Sequence, residues 1–464
     1  MLERYPPVRL DSSPIQIQST MKAIQRTLAG FLLLLTAGWA LSEPGDLVAI
    51  ASFFDFRSLF MQWSGVIAIG VMSLAMILSL RPAVLEPYLG GLDKLYRLHK
   101  WLGITALGIT LVHWLMAKSP KWLIALGWLE RRGRRPRPSF PEGSLQGLFA
   151  GLHGLAEDVG EWAFYGALVL MLIALIKAFP YRRFVQTHRL LPLAYLALVF
   201  HAVILLKFDA WRGPIGPLLV ALMALGSVAA VSSLLGWRPG RRPVTGTVTA
   251  VAADAIDPVL TVDLRLDPGW PGHTAGQFAF VTFDSREGAH PFTLASAWRG
   301  DGYIQFRIKA LGDYTRTLAA RLHPGARVSL EGPYGRFTFG GNAARQIWIA
   351  GGIGITPFLA RLQALAATPD GRRTDLFHCT ARYSADAVRQ LRHAADAAGV
   401  RLHMLWDERD GRLDAARLAE TVPDWRDADI WFCGPAPFGD ALRTGLVRLG
   451  LPARRFHQEL FEMR

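Results

Sequence analysis

Six long apolar segments occupy the first half of the chain. They lie at about residues 24–42, 60–80, 98–117, 159–178, 189–207 and 215–236. Each is near the ~20 residues that a helix needs to cross a bilayer, and lipid tolerates only structures whose backbone groups are hydrogen-bonded internally. The sequence therefore predicts a membrane domain of six α-helical spans over residues 24–237.

Basic residues indicate how this bundle is oriented. The loops on the N-terminal side of the bilayer carry many of them: Arg9, Lys22, Arg26, Arg81, Lys94, Arg97, Lys100, Lys177, Arg182, Arg183 and Arg189. That side is cytoplasmic by the positive-inside rule, and an even number of spans places both termini there. The polar leader, residues 1–23, is too long for an ordinary signal peptide, so we expect the first span to be retained.

One basic loop conflicts with this orientation. Residues 131–138, RRGRRPRP, fall on the outer side of the bilayer. The loop could lie against anionic headgroups, or its charge could attract anionic acceptors to the outer face.

Composition narrows the classes of function. The net charge of +14 could suggest a nucleic-acid partner. Much of the basic charge lies between apolar segments, however, which is typical of membrane topology, so we expect no nucleic acid. The two cysteines, Cys379 and Cys433, lie in the polar half and are too few for an iron–sulfur cluster or a disulfide framework. The polar half is therefore expected to be cytosolic and reduced.

Two apolar segments each carry a pair of histidines. His99 and His113 are 14 residues apart in the third segment, and His188 and His201 are 13 apart in the fifth. At 1.5 Å per residue these separations are ~21 and ~20 Å along the helix axes. Because both segments start at the cytoplasmic face, His99 should share a depth with His188 (the inner pair) and His113 with His201 (the outer pair). Four histidines at two depths would suit two stacked haems, and the alternative is histidines that only pack or lie at the interface.

The helical geometry raises one difficulty for this arrangement. Fourteen residues return a helix to within about 40° of the same face, but thirteen leave it about 140° away. Pro192 cannot bond the carbonyl of His188, and a distortion there could turn His188 toward a haem. In the third segment, Gly103 and Gly108 would let a flat macrocycle approach the helix.

After RPGRRP, residues 238–243, the pattern changes to short strands and turns. VTGTVTAV, LTVDLRL, GQFAFVTF, YIQFRIKAL and ARVSLEGPYG predict an antiparallel β-barrel. IWIAGGIGITPFLARLQAL then reads as a strand, a glycine-rich turn and a helix with Pro357 near its start. Such a helix N-terminus offers free N–H groups to a pyrophosphate. Further alternation through DLFHCTAR, RLHMLWDE and DADIWFCGP predicts an α/β domain with a parallel sheet.

From about residue 60 to its end, the chain resembles the NADPH oxidase and ferric reductase superfamily. Members join a six-span, two-haem membrane domain to a dehydrogenase of the ferredoxin–NADP reductase type. The resemblance implies a FAD-binding β-barrel domain over residues 242–341 and an NAD(P)H-binding α/β domain over residues 343–464. It also implies that two b haems are bound by His99, His113, His188 and His201.

The motifs that carry this resemblance imply further site residues. At the isoalloxazine of FAD would lie His290, Pro291, Phe292 and Thr293 of HPFTLAS. The FAD pyrophosphate would be held by Lys309, Gly312, Tyr314 and Thr315 of IKALGDYT. The nicotinamide dinucleotide would be held by Gly351, Gly352, Gly354, Thr356 and Pro357 of GGIGITP, and by Cys433, Gly434 and Pro435. Phe461 of HQELFEMR would cover the flavin, so that hydride transfer would take place beside Thr293, Cys433 and Phe461.

Two positions near the outer pair bear on the acceptor. Arg57 resembles an arginine that oxidases use close to the outer haem, although an arginine at this depth can equally extend to the interface. Ala117 stands where some oxidases have a polar residue four positions after the outer histidine. The sequence contains no EF-hand loop, so calcium control is not expected.

The resemblance implies a flavocytochrome b in a bacterial inner membrane, with its dehydrogenase domains in the cytoplasm. It would pass electrons from NAD(P)H through FAD and two haems to an acceptor on the outer face. If histidines fill both axial positions, neither iron can coordinate oxygen, and the acceptor is reduced at the haem edge. Dioxygen, giving superoxide, is the expected acceptor, and the alternatives are a ferric chelate or a periplasmic partner protein. Arg382, in CTARYSADAV, could clamp a 2′-phosphate, which favours NADPH over NADH.

Overall fold

The computed structural model describes residues 18–459, except residues 44, 46–49, 83, 86–87, 89–90, 131–139, 142, 177–178, 238–241 and 255–256. The chain divides into two compact units, of which one comprises Gln25–Arg242 and the other begins at Pro243. The first unit is helical and the second contains the sheets.

The helical unit contains, within the described residues, six helical segments long and apolar enough to cross a membrane. Its helices are α1 (Gln18–Ser42), α2 (Phe53–Ser79), α3 (Leu92–Ala125), α4 (Leu145–Leu175), α5 (Tyr181–His188), α6 (Leu191–Leu205), α7 (Phe208–Arg212) and α8 (Ile215–Leu234). α2 and α8 are the most buried spans, whereas α3 and α4 leave large apolar side chains such as Leu111 and Trp162 exposed. An apolar surface of this kind is suited to lipid.

The fifth span is made of two helices. α5 ends at His188, and α6 begins at Leu191 with Pro192 in its first turn. Proline is favoured there because its missing N–H would have no helical partner. The chain therefore breaks next to His188, where the sequence predicts a distortion.

The second unit begins with a six-stranded antiparallel sheet in the order β4-β3-β6-β1-β2-β5. The strands are β1 (Val244–Ala253), β2 (Val259–Leu266), β3 (Phe278–Thr282), β4 (His290–Thr293), β5 (Tyr303–Lys309) and β6 (Arg327–Tyr334), with α9 (Asp313–Arg321) between β5 and β6. In the described residues, the end strands β4 and β5 are connected only near one isolated bridge, Leu294–Phe306. The predicted barrel is therefore open at this seam, although its antiparallel strands are confirmed.

The second sheet is parallel and has the order β11-β10-β7-β8-β9. Its strands are β7 (Arg345–Gly351), β8 (Arg373–Thr380), β9 (Arg401–Trp406), β10 (Asp429–Cys433) and β11 (Phe456–Gln458). The helices are α10 (Thr356–Ala367), α11 (Ala385–Ala397), α12 (Asp407–Asp410), α13 (Ala415–Thr421) and α14 (Ala436–Arg448). The strand order changes direction beside β7 and β10, so the loops after these strands face the crevice where α/β sheets bind ligands.

The predicted fold class is confirmed, while several helix bounds differ. The second and fourth spans begin earlier than predicted, at Phe53 and Leu145, and the third extends to Ala125. Polar residues at the ends of these helices hid their full length, because a hydropathy pattern registers only the apolar part of a span.

Candidate functional site

The four membrane histidines form two pairs in the helical unit. The ring centres of His99 and His188 are 6.1 Å apart, and those of His113 and His201 are 6.5 Å apart. An imidazole nitrogen binds a first-row metal ion at about 2 Å, so two rings on opposite sides of one iron would have their centres about 6 Å apart. Both pairs therefore have the spacing that a haem with two axial histidines requires.

Three of these rings are held by a contact at Nδ1. His99 Nδ1 lies 3.0 Å from the Ala75 carbonyl oxygen, and His201 Nδ1 lies 2.8 Å from that of Ala156. A carbonyl can only accept, so in both rings Nδ1 carries the hydrogen and Nε2 keeps the lone pair that binds a metal. His113 Nδ1 lies 2.8 Å from the Ser64 hydroxyl. Metal-binding histidines are commonly oriented by such contacts.

His188 differs from the other three histidines. Its Nδ1 is buried and has no hydrogen-bond partner among the described residues. The ring packs against Phe184, with the ring centres 5.1 Å apart. His188 is the last residue of α5, and the break before α6 accounts for its different surroundings.

Glycines and alanines shape the space around the pairs. A methyl group added at Gly103 or Gly108 would meet no other side chain within 4 Å in the described part of the chain. On α4, Ala156 and Gly160 lie one turn apart, and a Cβ at Gly160 would overlap the His201 ring. The described residues include no cluster of three or more His, Cys, Asp or Glu side chains that could hold a metal ion.

Arg57 binds the helix that carries His113. Its Nε donates to the Met116 carbonyl at 3.1 Å and its Nη2 to the Ala117 carbonyl at 3.0 Å. Pro120 lies inside α3 and has no N–H for the Met116 carbonyl four residues earlier. Arg57 therefore donates, together with the Ser119 hydroxyl at 2.8 Å, to a carbonyl that the proline leaves open one turn beyond His113. Its side chain is held there instead of extending freely to the interface.

A polar network joins α3 to α4 beside the outer pair, and the sequence analysis did not find it. Trp114 Nε1 donates to the Tyr165 hydroxyl at 3.2 Å, and that hydroxyl donates to Glu161 at 2.5 Å. Glu161 also pairs with Lys118 at 2.6 Å. The spacing of Glu161 and Tyr165 places both on one face of α4. This spacing was the feature of the sequence from which the network could have been predicted. The network fixes the helix of His113 to the helix whose Ala156 holds His201.

In the second unit, the predicted flavin residues lie on β4 and around the start of α9. The rings of His290 and Tyr314 are stacked, with centres 4.4 Å apart. Burial lowers the pKa of His290 and raises the pKa of Tyr314 to about 12, so both side chains are neutral near pH 7. The Thr315 hydroxyl accepts from the Gly312 amide at 3.0 Å and so caps α9. Pro291, Phe292 and Thr293 continue β4, where Thr293 pairs with Phe278 of β3.

A cavity of about 530 Å³ adjoins Tyr314, a volume within the usual range for ligand sites. The other residues that line it are Thr245, Thr282, Phe283, Asp284, Ser285, Leu318, Arg321, Leu322, Arg327, Val328 and Ser329.

The two predicted dinucleotide motifs meet at the ends of β7 and β10. A Cβ at Gly351 would lie 2.8 Å from Pro435 Cδ, and a Cβ at Gly354 would collide with the Cys433 carbonyl. Gly352 has φ = 56°, a conformation that glycine adopts without strain. Only glycine therefore fits this contact.

Two further side chains, those of Thr356 and His378, contact the Gly351–Gly354 turn. Thr356, just before Pro357 at the start of α10, donates its hydroxyl to the Ile353 carbonyl at 2.7 Å. His378, which the sequence analysis did not single out, lies with Nε2 3.3 Å from the Gly352 carbonyl. Burial lowers the pKa of His378 to about 4, so the ring is neutral. Gly434 follows Cys433, where burial raises the pKa of the thiol well above its ordinary value.

Asp257 lies between two predicted phosphate-binding residues. Its Oδ1 is 3.4 Å from Lys309 Nζ and 3.8 Å from Arg382 Nη1. The Arg382 side chain is 54% exposed and could reach a ligand. The structure thus brings Lys309 and Arg382 to one carboxylate, which the sequence analysis did not foresee. Phe461 and the basic loop 131–137 lie outside the described residues.

Two family models match the chain. Residues 64–199 match the ferric reductase like transmembrane component, and residues 249–338 match a FAD-binding domain. The first match contains His99, His113 and His188 and ends two residues before His201. The second contains His290 and Lys309.

Curated relatives match about half of the chain. A flavohemoprotein of Burkholderia sp. (strain TH2) is 30% identical over 244 residues, which are 49% of this chain and 60% of the relative. An NADPH oxidoreductase of Mycobacterium tuberculosis is 30% identical over 209 residues, which are 42% of this chain and 54% of the relative. The chain therefore spans less than two thirds of the length of either relative.

Among solved structures, a cytochrome P450 reductase from Amycolatopsis is similar at 26% identity and a TM-score of 0.42, covering 47% of this chain and 70% of that one. A flavohemoglobin from Malassezia yamatoensis is similar at 18% identity and a TM-score of 0.46, covering 87% of this chain and 98% of that one.

Proposed function

We propose a function for this chain on the basis of the two family models that match it. Together they indicate the ferric reductase and NADPH oxidase-like superfamily, with a ferredoxin–NADP reductase-like dehydrogenase fused to the membrane domain. The chain is a multi-pass transmembrane oxidoreductase with a FAD-binding domain and NAD(P)H as its substrate. The finer proposal is that it passes electrons through FAD and two b haems to dioxygen on the outer face, with superoxide as the product.

The spacing of the histidine pairs carries this proposal. The ring centres lie 6.1 and 6.5 Å apart. In His99 and His201, Nδ1 faces a carbonyl oxygen and so carries the hydrogen, which leaves Nε2 as the metal-binding nitrogen. Histidines that only packed in a helical bundle would not need this spacing at two depths. His99 and His188 would hold one haem, and His113 and His201 the other.

The bound groups would supply the electron-transfer chemistry, and the protein residues would bind and orient these groups. When bound, FAD would supply the change from a two-electron hydride donor to single-electron transfer, and the haems would supply one-electron steps. The glycine turn at Gly351–Gly354 would bind the dinucleotide pyrophosphate through its backbone amides. The neutral, buried thiol of Cys433 would stand beside the nicotinamide without adding charge, and Thr293 would hydrogen-bond the isoalloxazine.

Arg57 supports dioxygen as the first acceptor. Its guanidinium is fixed one turn beyond His113 by the Met116 and Ala117 carbonyls. A fixed positive charge stabilises an anion that forms nearby, and superoxide is an anion formed from a neutral molecule. Ala117 adds no polar group at this position.

Oxygen uptake by the purified protein tests the proposal. With NADPH supplied, we expect uptake and a superoxide signal that superoxide dismutase removes and iron chelators leave unchanged. NADPH-dependent reduction of a ferric chelate without oxygen uptake would contradict the choice of acceptor. A protein that reduces its haems but turns over slowly with either acceptor would support a periplasmic partner protein.

The basic loop 131–137 supports a ferric chelate as the second candidate. Five arginines near the outer face would raise the encounter rate of an anionic chelate at low salt by about tenfold, while neutral dioxygen would feel no attraction. Neutralising them should slow only the reduction of anionic ferric chelates. The difference should shrink as the Debye length falls from ~30 Å at 0.01 M to ~8 Å at 0.15 M ionic strength. Equal rates of chelate reduction in the neutralised variant and the parent at every salt concentration would contradict this role. Membrane anchoring would then be the role of the loop.

A further inference from the structure

Ser64 occupies a distinct position beside the outer histidine pair. It lies on α2 and is fully buried. Its hydroxyl oxygen is 2.6 Å from the Phe60 carbonyl oxygen and 2.8 Å from His113 Nδ1. One hydroxyl group therefore connects the backbone of α2 to the imidazole of α3.

The direction of the two hydrogen bonds follows from the proton count. A serine hydroxyl has one hydrogen, and a carbonyl oxygen can only accept. The short contact to Phe60 takes the hydroxyl hydrogen, so the hydroxyl oxygen accepts from His113 Nδ1–H. His113 then keeps its lone pair on Nε2, the nitrogen that would bind the haem iron.

Ser64 is the only side chain among the described Nδ1 partners of the four histidines. His99 and His201 face backbone carbonyls, which a substitution cannot remove, and the Nδ1 of His188 has no partner. The contact at His113 can therefore be changed by mutation without moving the backbone.

We propose that Ser64 is a positioning residue that fixes the His113 tautomer and lowers the reduction potential of the outer haem. The proposal rests on the proposed haem ligation. A hydrogen bond accepted from Nδ1–H raises the basicity of the ligand at Nε2, and a more basic ligand favours ferric over ferrous iron. The outer haem is thus made a stronger reductant for the acceptor.

Ser73 provides a matched control on the same helix. It is also fully buried, and its hydroxyl donates to the Ile69 carbonyl at 2.7 Å, again four residues earlier. Its oxygen lies 2.8 Å from the Tyr195 hydroxyl, where Ser64 has a histidine. Ser73→Ala therefore removes the same group with the same burial but no contact with a histidine.

Redox titration of the purified full chain, followed by haem absorbance, tests the role of Ser64. Ser64→Ala should raise the equilibrium ratio of ferrous to ferric outer haem about tenfold. This corresponds to an upward shift of ~59 mV in the reduction potential of a one-electron couple. It should also release that haem about tenfold faster. The inner haem should keep its potential, and Ser73→Ala should shift neither.

Two conservative variants distinguish loss of the hydrogen bond from a general effect on folding. Ser64→Thr keeps the hydroxyl and should retain the parental potential, whereas Ser64→Cys keeps the approximate volume with a weaker acceptor and should shift it partway. Equal shifts in Ser64→Ala and Ser73→Ala, or no shift in Ser64→Ala and Ser64→Cys, would overturn the proposal. A parent protein without two haems would instead overturn the proposed function, and this would be seen before any variant is made.

Discussion

Replacing Arg57 by methionine should weaken the contact between α2 and α3 near the outer histidine pair. The guanidinium makes two charge-assisted hydrogen bonds to carbonyl oxygens, at 3.1 and 3.0 Å. Such bonds contribute about 1.5–3 kcal/mol each, and the lower values apply because Arg57 is only half-buried. We expect Arg57→Met to lower the free energy of unfolding by about 2–3 kcal/mol.

Pro120 makes this prediction specific. Because Pro120 lacks an N–H, the Met116 carbonyl has no backbone donor four residues later. It accepts instead from Arg57 Nε at 3.1 Å and from the Ser119 hydroxyl at 2.8 Å. Pro120→Ala restores that N–H, which gives the carbonyl a backbone donor within α3 in addition to the Ser119 hydroxyl. Arg57→Met should then cost about 1 kcal/mol less in the Pro120→Ala background than in the parent, which is a coupling energy of ordinary size for residues that share a partner.

A double-mutant cycle measures this coupling. The free energy of unfolding would be obtained for the parent, both single variants and the double variant in mixed detergent micelles, with tryptophan fluorescence as the signal. Arg57→Lys is the control, because it keeps the charge but has no planar fork to reach two carbonyls, so it should lose about half as much stability. An equal cost of Arg57→Met in both backgrounds would refute the idea that Arg57 compensates for the proline.

Three further predictions concern the cofactor sites. The double variant His113→Leu, His201→Leu should lose one of two haems but still reduce FAD with NADPH, and a full haem content in this variant would disprove the ligand assignment. Arg382→Ala should raise the KM for NADPH and leave the KM for NADH unchanged, which steady-state flavin reduction would measure; unchanged values for both would contradict the 2′-phosphate role. Gly354→Ala should abolish reduction of the flavin by NADPH while FAD stays bound, because its Cβ would collide with the Cys433 carbonyl. Gly340→Ala should retain the parental rate, because its Cβ would meet only the Thr338 hydroxyl oxygen, at 3.9 Å.

The sequence was sufficient to predict the six spans and the pairing of the histidines by depth. Both follow from quantities that do not depend on tertiary contacts, namely the length of apolar segments and the rise per residue of a helix. His99 and His188 lie close together in the structure, as do His113 and His201. Their role as haem ligands stays a prediction.

The contacts that orient these rings could not be predicted. Whether His113 meets Ser64 or another residue of α2 depends on how each helix is rotated about its axis, and the predominantly apolar sequence of α2 does not specify that rotation. The role of Arg57 was also hidden, because the third span was predicted to end at residue 117, before Pro120. In the second unit, the seam between β4 and β5 depends on side-chain packing that strand patterns do not encode.

The contact between Gly351–Gly354 and Cys433–Pro435 has a consequence for protein engineering. The two turns touch through their backbones, so neither can accept a larger residue unless the other moves. Attempts to redesign coenzyme use should therefore leave both turns unchanged and vary the rim of the crevice, where Arg382 is exposed. Libraries that randomise the glycines would consist largely of inactive proteins, whereas libraries at the rim would sample variants with an intact turn.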